Sequence, residues 1–337
     1  MTRFDPTPVL PHGPLTPSPA GPTHRSHVRT WGRRGAAVVL VAALCALPGC
    51  GIRVGGGSPA SLPSASQAEA DRDTLARHSV LIGSTAQVVA SSGESAQRAG
   101  AQVVADAAVV QLEALGGVWE PWATPVPTTY PTATPVATAA ATATTEDLAT
   151  ALGDGVSTAR QAASRAASAQ DARLYAALAT AWSLQLRRIA PQSVEATGRG
   201  TTAMTEPLAG DLLVAYDAAR YAMEEVGARG DEASRARALI DAAAATAVVS
   251  TSLALGGQDT RLGAYGRPEG QDTDAATDAA WAQEVWLTVM STELAGVGAS
   301  GGEATTLAID AAVAAGSRAQ SWGAVVDAPL PGHDPAA

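Results

Sequence analysis

The chain has 337 residues, 46% of them hydrophobic but only 4% aromatic, and its net charge at pH 7 is −10. This length suffices for one or two packed domains, and long Ala-rich stretches favour helices over strands, so we expect an all-α fold. Such an acidic surface repels phosphate backbones and argues against a nucleic-acid partner. The sequence contains no lysine, which excludes a P-loop lysine, a Schiff-base lysine and a Ser-Lys dyad.

Residues 1–49 are predicted to be a signal peptide. Arg33 and Arg34 precede an apolar run over residues 35–47, which is followed by Pro48, Gly49 and Cys50. A basic segment, a short apolar run and small residues before a cleavage site are typical of secretory signals, and the run is shorter than the roughly 20 residues that span a bilayer. The basic segment is unusually long, and a translation start at Val28 is an alternative that gives a compact leader.

The sequence around Cys50, Leu-Pro-Gly-Cys, resembles the lipobox of bacterial lipoproteins. In that family the cysteine becomes the new N-terminus and carries a diacylglyceryl group, so the resemblance implies lipidation of Cys50. The alternative is an ordinary signal peptide with a coincidental cysteine. Residues 50–66 are rich in Gly, Ser and Pro and are predicted to be a flexible tether. We therefore expect a protein anchored by lipid to the outer face of the cytoplasmic membrane.

A first helical unit is expected over residues 67–190. Helical periodicity extends over residues 67–117 with a break at 91–93, and resumes at 146–165 and 170–188. The Thr/Pro-rich segment 119–145 is predicted to be a loop, either a plain linker or O-glycosylated. Trp119 and Trp122 in this loop are candidates for binding a partner or the bilayer interface, with packing against the second unit as the alternative.

A second four-helix unit is expected over residues 201–325, followed by a disordered tail over 326–337. Its predicted helices cover residues 206–227, 232–255, 274–294 and 303–322. Leu-Gly-Gly occurs at residues 115–117 and 255–257, and tryptophan occurs at 182 and 322, so that both pairs are separated by 140 residues. This spacing indicates a tandem duplication of a four-helix unit, with chance agreement in Ala-rich sequence as the alternative.

The second unit resembles a ferritin-like family of unknown function found in lipoproteins of high-GC Gram-positive bacteria. The resemblance is carried by DLLVAYDAARYAMEEVGAR (211–229), Ala-Tyr at 264–265 and AAVAAGSRAQSWG (311–323), together with LEALGGVWEPW (112–122) and the lipobox. It implies a ferritin-like four-helix bundle. Relatives carry Glu then His where this chain has Tyr216 and Asp217, a departure that argues against inherited metal chemistry.

The residues needed for a di-iron centre are incomplete. Such a centre takes Glu-x-x-His from two helices, but no histidine lies between His78 and His333. We therefore predict no metal and no cofactor, with a carboxylate-only site as the alternative. The following acids are expected on solvated faces: Glu206, Glu224, Glu225, Asp241, Glu284 and Asp310. His78 is interpreted as a packing residue, or alternatively as a general base.

A glycine-rich sequence and a pair of tryptophans are interpreted as structural features and not as functional sites. Residues 296–301 spell G-x-G-x-x-G, but a dinucleotide fingerprint follows a strand, whereas this one follows a predicted helix, so we interpret it as an inter-helix loop. Trp281 and Trp286 are five residues apart and cannot share one helix face. Trp281, together with Val285, is expected in the core and Trp286 at an edge or interface.

These patterns predict a non-enzymatic binding or scaffolding protein of the cell envelope, whose partner is an envelope protein or a cell-wall polymer. The partner surface is placed near the junction of the two units, because common nucleophiles and bases are scarce whereas large aromatic residues remain near the ends of the helices. One alternative is a ferritin-like metal-binding or oxidase module. A second alternative is a carrier of a small ligand.

Overall fold

The structure, a computed structural model, describes residues 64–121, 133–193, 198–200, 203–267 and 274–333. Within these ranges the chain forms α-helices and no strand, which confirms the all-α prediction. The helices are α1 Gln67–Ser92, α2 Ser95–Ala114, α3 Thr145–Arg165, α4 Ala169–Ile189, α5 Gly210–Arg229, α6 Glu232–Ala254, α7 Ala275–Ala295 and α8 Gly302–Ser321, with a short 3-10 turn at Pro191–Ser193.

Several helices begin at side-chain caps that the sequence encodes locally. In α3 the Thr144 hydroxyl accepts from the Asp147 amide at 3.3 Å, and the Asp147 carboxylate accepts from the Thr144 amide at 2.7 Å. Asp274 and Thr277 form the same reciprocal pair at the start of α7. Such capping boxes satisfy amides that have no partner within the helix, and they fix where each helix begins.

The ends of α2 and α6 are built alike. Gly116 and Gly256 follow the two helices with φ of 75° and 88°, a left-handed conformation that favours glycine. The amide of Gly117 then donates to the Leu112 carbonyl at 3.0 Å, and that of Gly257 to the Ser252 carbonyl at 3.1 Å. This is the Schellman arrangement in both cases, so the repeated Leu-Gly-Gly marks equivalent helix ends.

The two tryptophans in the repeat do not occupy equivalent helix positions. Trp182 lies inside α4, whereas Trp322 directly follows α8. Each indole nevertheless donates to a polar side chain on the second helix of its own set, Trp182 to Gln111 at 2.8 Å and Trp322 to Asp241 at 2.8 Å. The two sets of four helices therefore share a helix-end motif and a type of contact, but not a strict 140-residue register.

Two sets of four helices share one core. The chain divides into Met1–Ser58, which lies outside the described residues, and Pro59–Ala337, which forms one compact unit. In the first set α1 packs against α2 and α3, and α4 against α3 and α2. In the second set α5 packs against α6 and α7, and α7 against α8. Because α8 also packs against α3 and α4, the expected boundary at 190–201 does not separate two cores.

A close approach of α8 to α4 joins the two sets. A Cβ atom on Gly316 would lie 2.8 Å from Cδ1 of Leu184, so only glycine fits there without a shift. Arg160 of α3 pairs with Asp310 of α8 at 2.6 Å. The Ser300 amide donates to the Ala166 carbonyl at 2.9 Å, which links the loop before α8 to the end of α3.

The segment predicted to be a disordered tail is packed as far as His333. Val326 is buried and Leu330 packs against the core. Asp327 pairs with Arg188 at 2.6 Å, and the Pro329 carbonyl accepts from Gln111 at 2.9 Å. The expectation of disorder is therefore wrong for residues 326–333, because their apolar side chains and backbone find partners on the helices. Residues 334–337 lie outside the described residues.

The described part of the predicted loop 119–145 runs beside α1. The Arg77 guanidinium donates to the Thr134 carbonyl at 3.1 Å, and the Ala139 amide donates to the Ser84 hydroxyl at 3.0 Å. Residues 122–132 lie outside the described residues. The segment that follows them is therefore attached to the surface of α1 before α3 begins.

Among the described helices, α6 alone is long and apolar enough, by length and composition, to cross a membrane. Core helices of water-soluble proteins also meet that criterion. In this structure α6 packs against α5 and contains Asp241, whose carboxylate binds side chains from the end of α8. Its opposite face leaves Leu239 and Ile240 exposed.

Candidate functional site

The residues predicted to carry function are only partly within the described structure. Cys50 and Trp122 lie outside the described residues. Trp119 follows the end of α2 and is half-buried, and its backbone amide donates to the Asp73 carboxylate of α1 at 2.8 Å. Its neighbour Val118 packs against the core. The structure thus fixes the backbone at Trp119 and leaves part of its side chain accessible.

The acids predicted on solvated faces behave as expected with one exception. Glu206, Glu224 and Glu284 are exposed, and Glu225 and Asp310 are half-exposed. Asp241 is only 4% exposed, so that expectation is wrong. Its carboxylate is accommodated because Arg318 pairs with one oxygen while the Trp322 indole donates to the other. Both partners come from α8 and the residue that follows it.

Three further acids of the second set are buried and were not predicted from the sequence, and one of them is Glu293 of α7. Glu293 is 1% exposed, and its carboxylate accepts from Nε of Arg199 at 2.9 Å and also from Nη2 of the same guanidinium. The Tyr216 hydroxyl of α5 donates to the same carboxylate at 2.7 Å. Burial and the adjacent Glu293 charge raise the pKa of Tyr216 well above its usual 10.0. Tyr216 therefore stays protonated and acts as a hydrogen-bond donor.

The neighbouring residue Asp217 is also buried and also neutralised. One carboxylate oxygen accepts from Arg220 at 2.7 Å, and the other accepts from the Tyr265 hydroxyl at 2.8 Å. Burial and the Asp217 carboxylate raise the pKa of Tyr265. Tyr265, from the Ala-Tyr pair in the loop after α6, is thereby held against α5.

Asp278, near the start of α7, pairs with two arginines. Arg229 donates to its Oδ1 at 3.2 Å, and Arg267 pairs with the same oxygen. Four buried acids, Asp217, Asp241, Asp278 and Glu293, are thus distributed over three helices, and each is bound by at least one guanidinium. Within the described ranges, no group of three or more His, Cys, Asp or Glu residues is placed to hold a metal ion.

Most of these pairs left no local signal in the sequence. Asp217 and Arg220 are three residues apart on one helix, a spacing that puts them on the same face. The other arginine partners lie 11 to 94 residues from their acids, apart in the chain but adjacent in the fold. Sequence periodicity reports which face of a helix is apolar, but not which distant arginine neutralises a buried acid.

The arginines also cover the tryptophans of the second set. Arg318 lies 5.1 Å from the ring centre of Trp286, and Arg267 lies 5.1 Å from that of Trp281. Trp281 is buried, as expected, but Val285, expected to join it in the core, is only half-buried. Trp286 is 2% exposed, so its predicted edge position is wrong. The reason is that α7 has neighbours on more than one side, since it packs against α5, α8 and α4.

His78 occupies a half-buried position on α1. Its Nε2 lies 3.2 Å from the Thr158 hydroxyl of α3, and its Nδ1 is buried with no described hydrogen-bond partner. Burial lowers the pKa of His78, against the opposing charge of Asp154. The contact across two helices agrees with the interpretation of a packing residue.

The G-x-G-x-x-G sequence at 296–301 connects α7 to α8 and follows no strand. It is therefore the inter-helix loop that was predicted. Ser300 in this loop has φ of 52°, and its amide donates to the Ala166 carbonyl. The loop thus serves to join the two sets of helices.

A cavity of about 270 Å³ lies between α5, α7 and the loop after α6. Trp281, Glu284 and Thr288 follow one another along one face of α7 at helical spacing. The complete lining is Ala215, Ala218, Leu262, Ala264, Tyr265, Gly266, Trp281, Glu284, Val285 and Thr288. The sequence did not predict this cavity, because one of its walls is a loop whose position depends on the hydrogen bond between Tyr265 and Asp217.

Comparison with protein-family models, with curated proteins and with solved structures finds no significant match.

Proposed function

We propose that the protein is a non-enzymatic binding or scaffolding protein of the cell envelope, attached through lipid on Cys50 to the outer face of the cytoplasmic membrane. We also propose that α5–α8 form a ferritin-like bundle whose metal centre is degenerate. The observation that carries the proposal is that each buried acid among the described residues of α5–α8 is paired with arginine. Such pairs are expected to stabilise the bundle, which supports a structural role for these acids.

The arginine pairs favour binding over metal chemistry. A ferritin-like di-metal centre needs carboxylates whose lone pairs face the bundle interior and are free for metal. Here both oxygens of Glu293 accept from Arg199, and both oxygens of Asp217 and of Asp241 accept from described side chains. A cation entering the bundle would have to displace a guanidinium from a buried carboxylate, which is costly.

Lipid anchoring is tested by replacing the proposed attachment residue. The Cys50→Ser chain is expected to leave the membrane fraction, or to remain uncleaved, whereas Cys45→Ser should leave anchoring and processing unchanged. Cell fractionation and the mass of the N-terminal peptide would report both. Normal processing with unchanged membrane association of Cys50→Ser would refute the anchor.

Partner binding is tested at the aromatic pair after α2. Replacing Trp119 and Trp122 by alanine should abolish co-purification of an envelope protein or a cell-wall polymer without lowering the melting temperature, because tryptophan is favoured at binding hot spots. Val109→Ala is the matched control, since Val109 is an exposed apolar residue on the adjacent helix. A lower melting temperature with no partner captured would indicate that the two tryptophans serve packing instead.

A second candidate function is the carriage of a small ligand, and the cavity between α5 and α7 favours it. Its volume of about 270 Å³ lies near the lower end of small-molecule pockets. Its lining combines apolar and aromatic residues with two polar side chains on α7, Glu284 and Thr288. Such a mixture is typical of ligand sites in helical bundles.

A further inference from the structure

We propose that the cavity between α5, α7 and the loop after α6 binds a small organic cation, either a quaternary or a protonated ammonium compound. Among the described residues that line it, the one formal charge is the carboxylate of Glu284. That side chain is exposed and makes no ion pair or hydrogen bond with another described residue. An unpaired carboxylate at the edge of a cavity attracts a cation and repels an anion.

The walls of the cavity suit an ammonium group that carries apolar substituents. Tyr265 and Trp281 line it, and Tyr221 packs against both, with ring centres 5.8 Å and 6.4 Å away. Aromatic rings attract cations through their quadrupole, and such groups recognise quaternary ammonium ligands. Trp281 already receives one cation in this way, because the Arg267 guanidinium lies 5.1 Å from its ring centre. Arg267 is paired with Asp278, and this pairing reduces its repulsion of a second cation in the cavity.

The cavity has one wall on helix α5 and another on a loop that is hydrogen-bonded to α5. Ala215 and Ala218 of α5 line it with small side chains, which leaves its volume open. On the opposite side, the hydroxyl of Tyr265 donates to Asp217 and accepts from the Leu262 amide at 3.2 Å. The Leu262 side chain lines the cavity and is 58% exposed, which supplies an apolar rim. Preorganised walls of this kind reduce the entropic cost of binding.

This inference gives a ligand class to the carrier function and does not require the lipid anchor or the protein partner. The cation could come from a free metabolite or from the headgroup of a zwitterionic lipid, since both present the same ammonium chemistry. Anchoring and partner capture are measured separately, so the failure of either would leave the cation site to be judged by its own experiment.

Calorimetric titration of the purified full-length chain with choline tests whether the cavity binds a free organic cation. Saturable binding is expected for choline, and none for its uncharged carbon isostere. Glu284→Gln keeps the size of the side chain but removes its charge, and should weaken choline binding by about ten-fold. Glu113→Gln, an exposed acid on α2 that lines no described cavity, should leave binding unchanged.

The headgroup source is tested with the full-length Cys50→Ser chain, which lacks the proposed lipid and so cannot insert an anchor into the vesicles. Its sedimentation with vesicles of phosphatidylcholine is compared with that with vesicles of phosphatidylglycerol. If the chain binds only the phosphatidylcholine vesicles, and if Glu284→Gln abolishes this binding, the ligand is a lipid headgroup. Ala218→Leu fills the cavity from α5 and should block either ligand, and its circular dichroism would verify that the helices remain. Equal binding of choline and its uncharged isostere, equal affinity of Glu284→Gln and the unmodified chain, or the absence of binding in both arms would overturn the proposal.

Discussion

The indole nitrogen of Trp322 donates a hydrogen bond of 2.8 Å to Oδ2 of Asp241, while Arg318 pairs with Oδ1 of the same carboxylate. Asp241 lies in the middle of α6, and both of its partners lie at the C-terminal end of α8. The Arg237 guanidinium of α6 in turn lies 5.1 Å from the centre of the Trp322 ring. A buried charge thus joins two helices with both of its oxygens satisfied.

Replacing Asp241 by asparagine should destabilise the fold. The substitution keeps the shape of the side chain but leaves Arg318 without its buried counter-ion, and we expect a loss of about 2 kcal/mol in the free energy of unfolding. Asp310→Asn is the matched control, because the Asp310 pair with Arg160 is more accessible and should contribute less than about 1 kcal/mol. Urea unfolding of both variants would measure the difference. Equal losses would show that burial of the Asp241 pair contributes nothing.

Tyr216 should make stability depend on alkaline pH. Its raised pKa means that the folded chain holds the phenol proton more tightly than the unfolded chain, in which the pKa is near 10.0. The contribution of Tyr216 to the free energy of unfolding is fully present below about pH 10. It is lost as pH rises above that value, because the unfolded state then loses the proton first. Burial raises the pKa of Tyr175 to about 12, which adds a slope of the same sign.

The Tyr216→Phe variant separates the two tyrosines. It should lose about 1 to 2 kcal/mol at neutral pH, since the hydrogen bond to Glu293 is removed. Its unfolding free energy should then fall less steeply than that of the unmodified chain above about pH 10, because only Tyr175 and the other tyrosines still titrate. Denaturant unfolding across this range provides the measurement. Parallel slopes for the two proteins would contradict the assignment.

Two glycines of α3 should respond oppositely to alanine. A Cβ on Gly155 would lie 3.0 Å from Cε3 of Trp182 and 3.1 Å from Cδ1 of Ile82, so Gly155→Ala should cost about 1 to 3 kcal/mol through overpacking. A Cβ on Gly153 would meet its nearest neighbour, Cδ2 of Leu186, only at 4.0 Å. Gly153→Ala should therefore stabilise the helix by about 0.5 to 1 kcal/mol. Thermal unfolding that moved in the same direction for both variants would refute the close approach of α3, α4 and α1.

The helices and their ends could be predicted because their signals are local. Leu-Gly-Gly predicted the ends of α2 and α6, since glycine at this position adopts a positive φ that other residues rarely take. Ala-rich periodicity placed the remaining helices to within a few residues of their observed ends. The main local failure was the tail, where Val326 and Leu330 pack against the core although the surrounding prolines indicated an irregular segment.

The chemistry of the second set could not be predicted in the same way. Glu293 meets Arg199 and Tyr216 across 94 and 77 residues of chain, and no periodic pattern reports such a contact. For the same reason Asp241 and Trp286 were expected near the surface, although helix packing buries both. The absence of histidine from this region argues against a di-iron centre, and this stays a prediction. The arginines that bind the acids are apparent only in the fold.

The metal content of the full-length chain tests the central claim most directly, namely that arginines and not metal ions neutralise the buried acids. The protein should be purified from its membrane under mild conditions, without chelators, and its iron and manganese measured by elemental analysis. We predict far less than one ion of either metal per chain, because Glu293, Asp217 and Asp241 already have both oxygens bound. About two metal ions per chain, the content of a ferritin-like di-metal centre, would contradict this account.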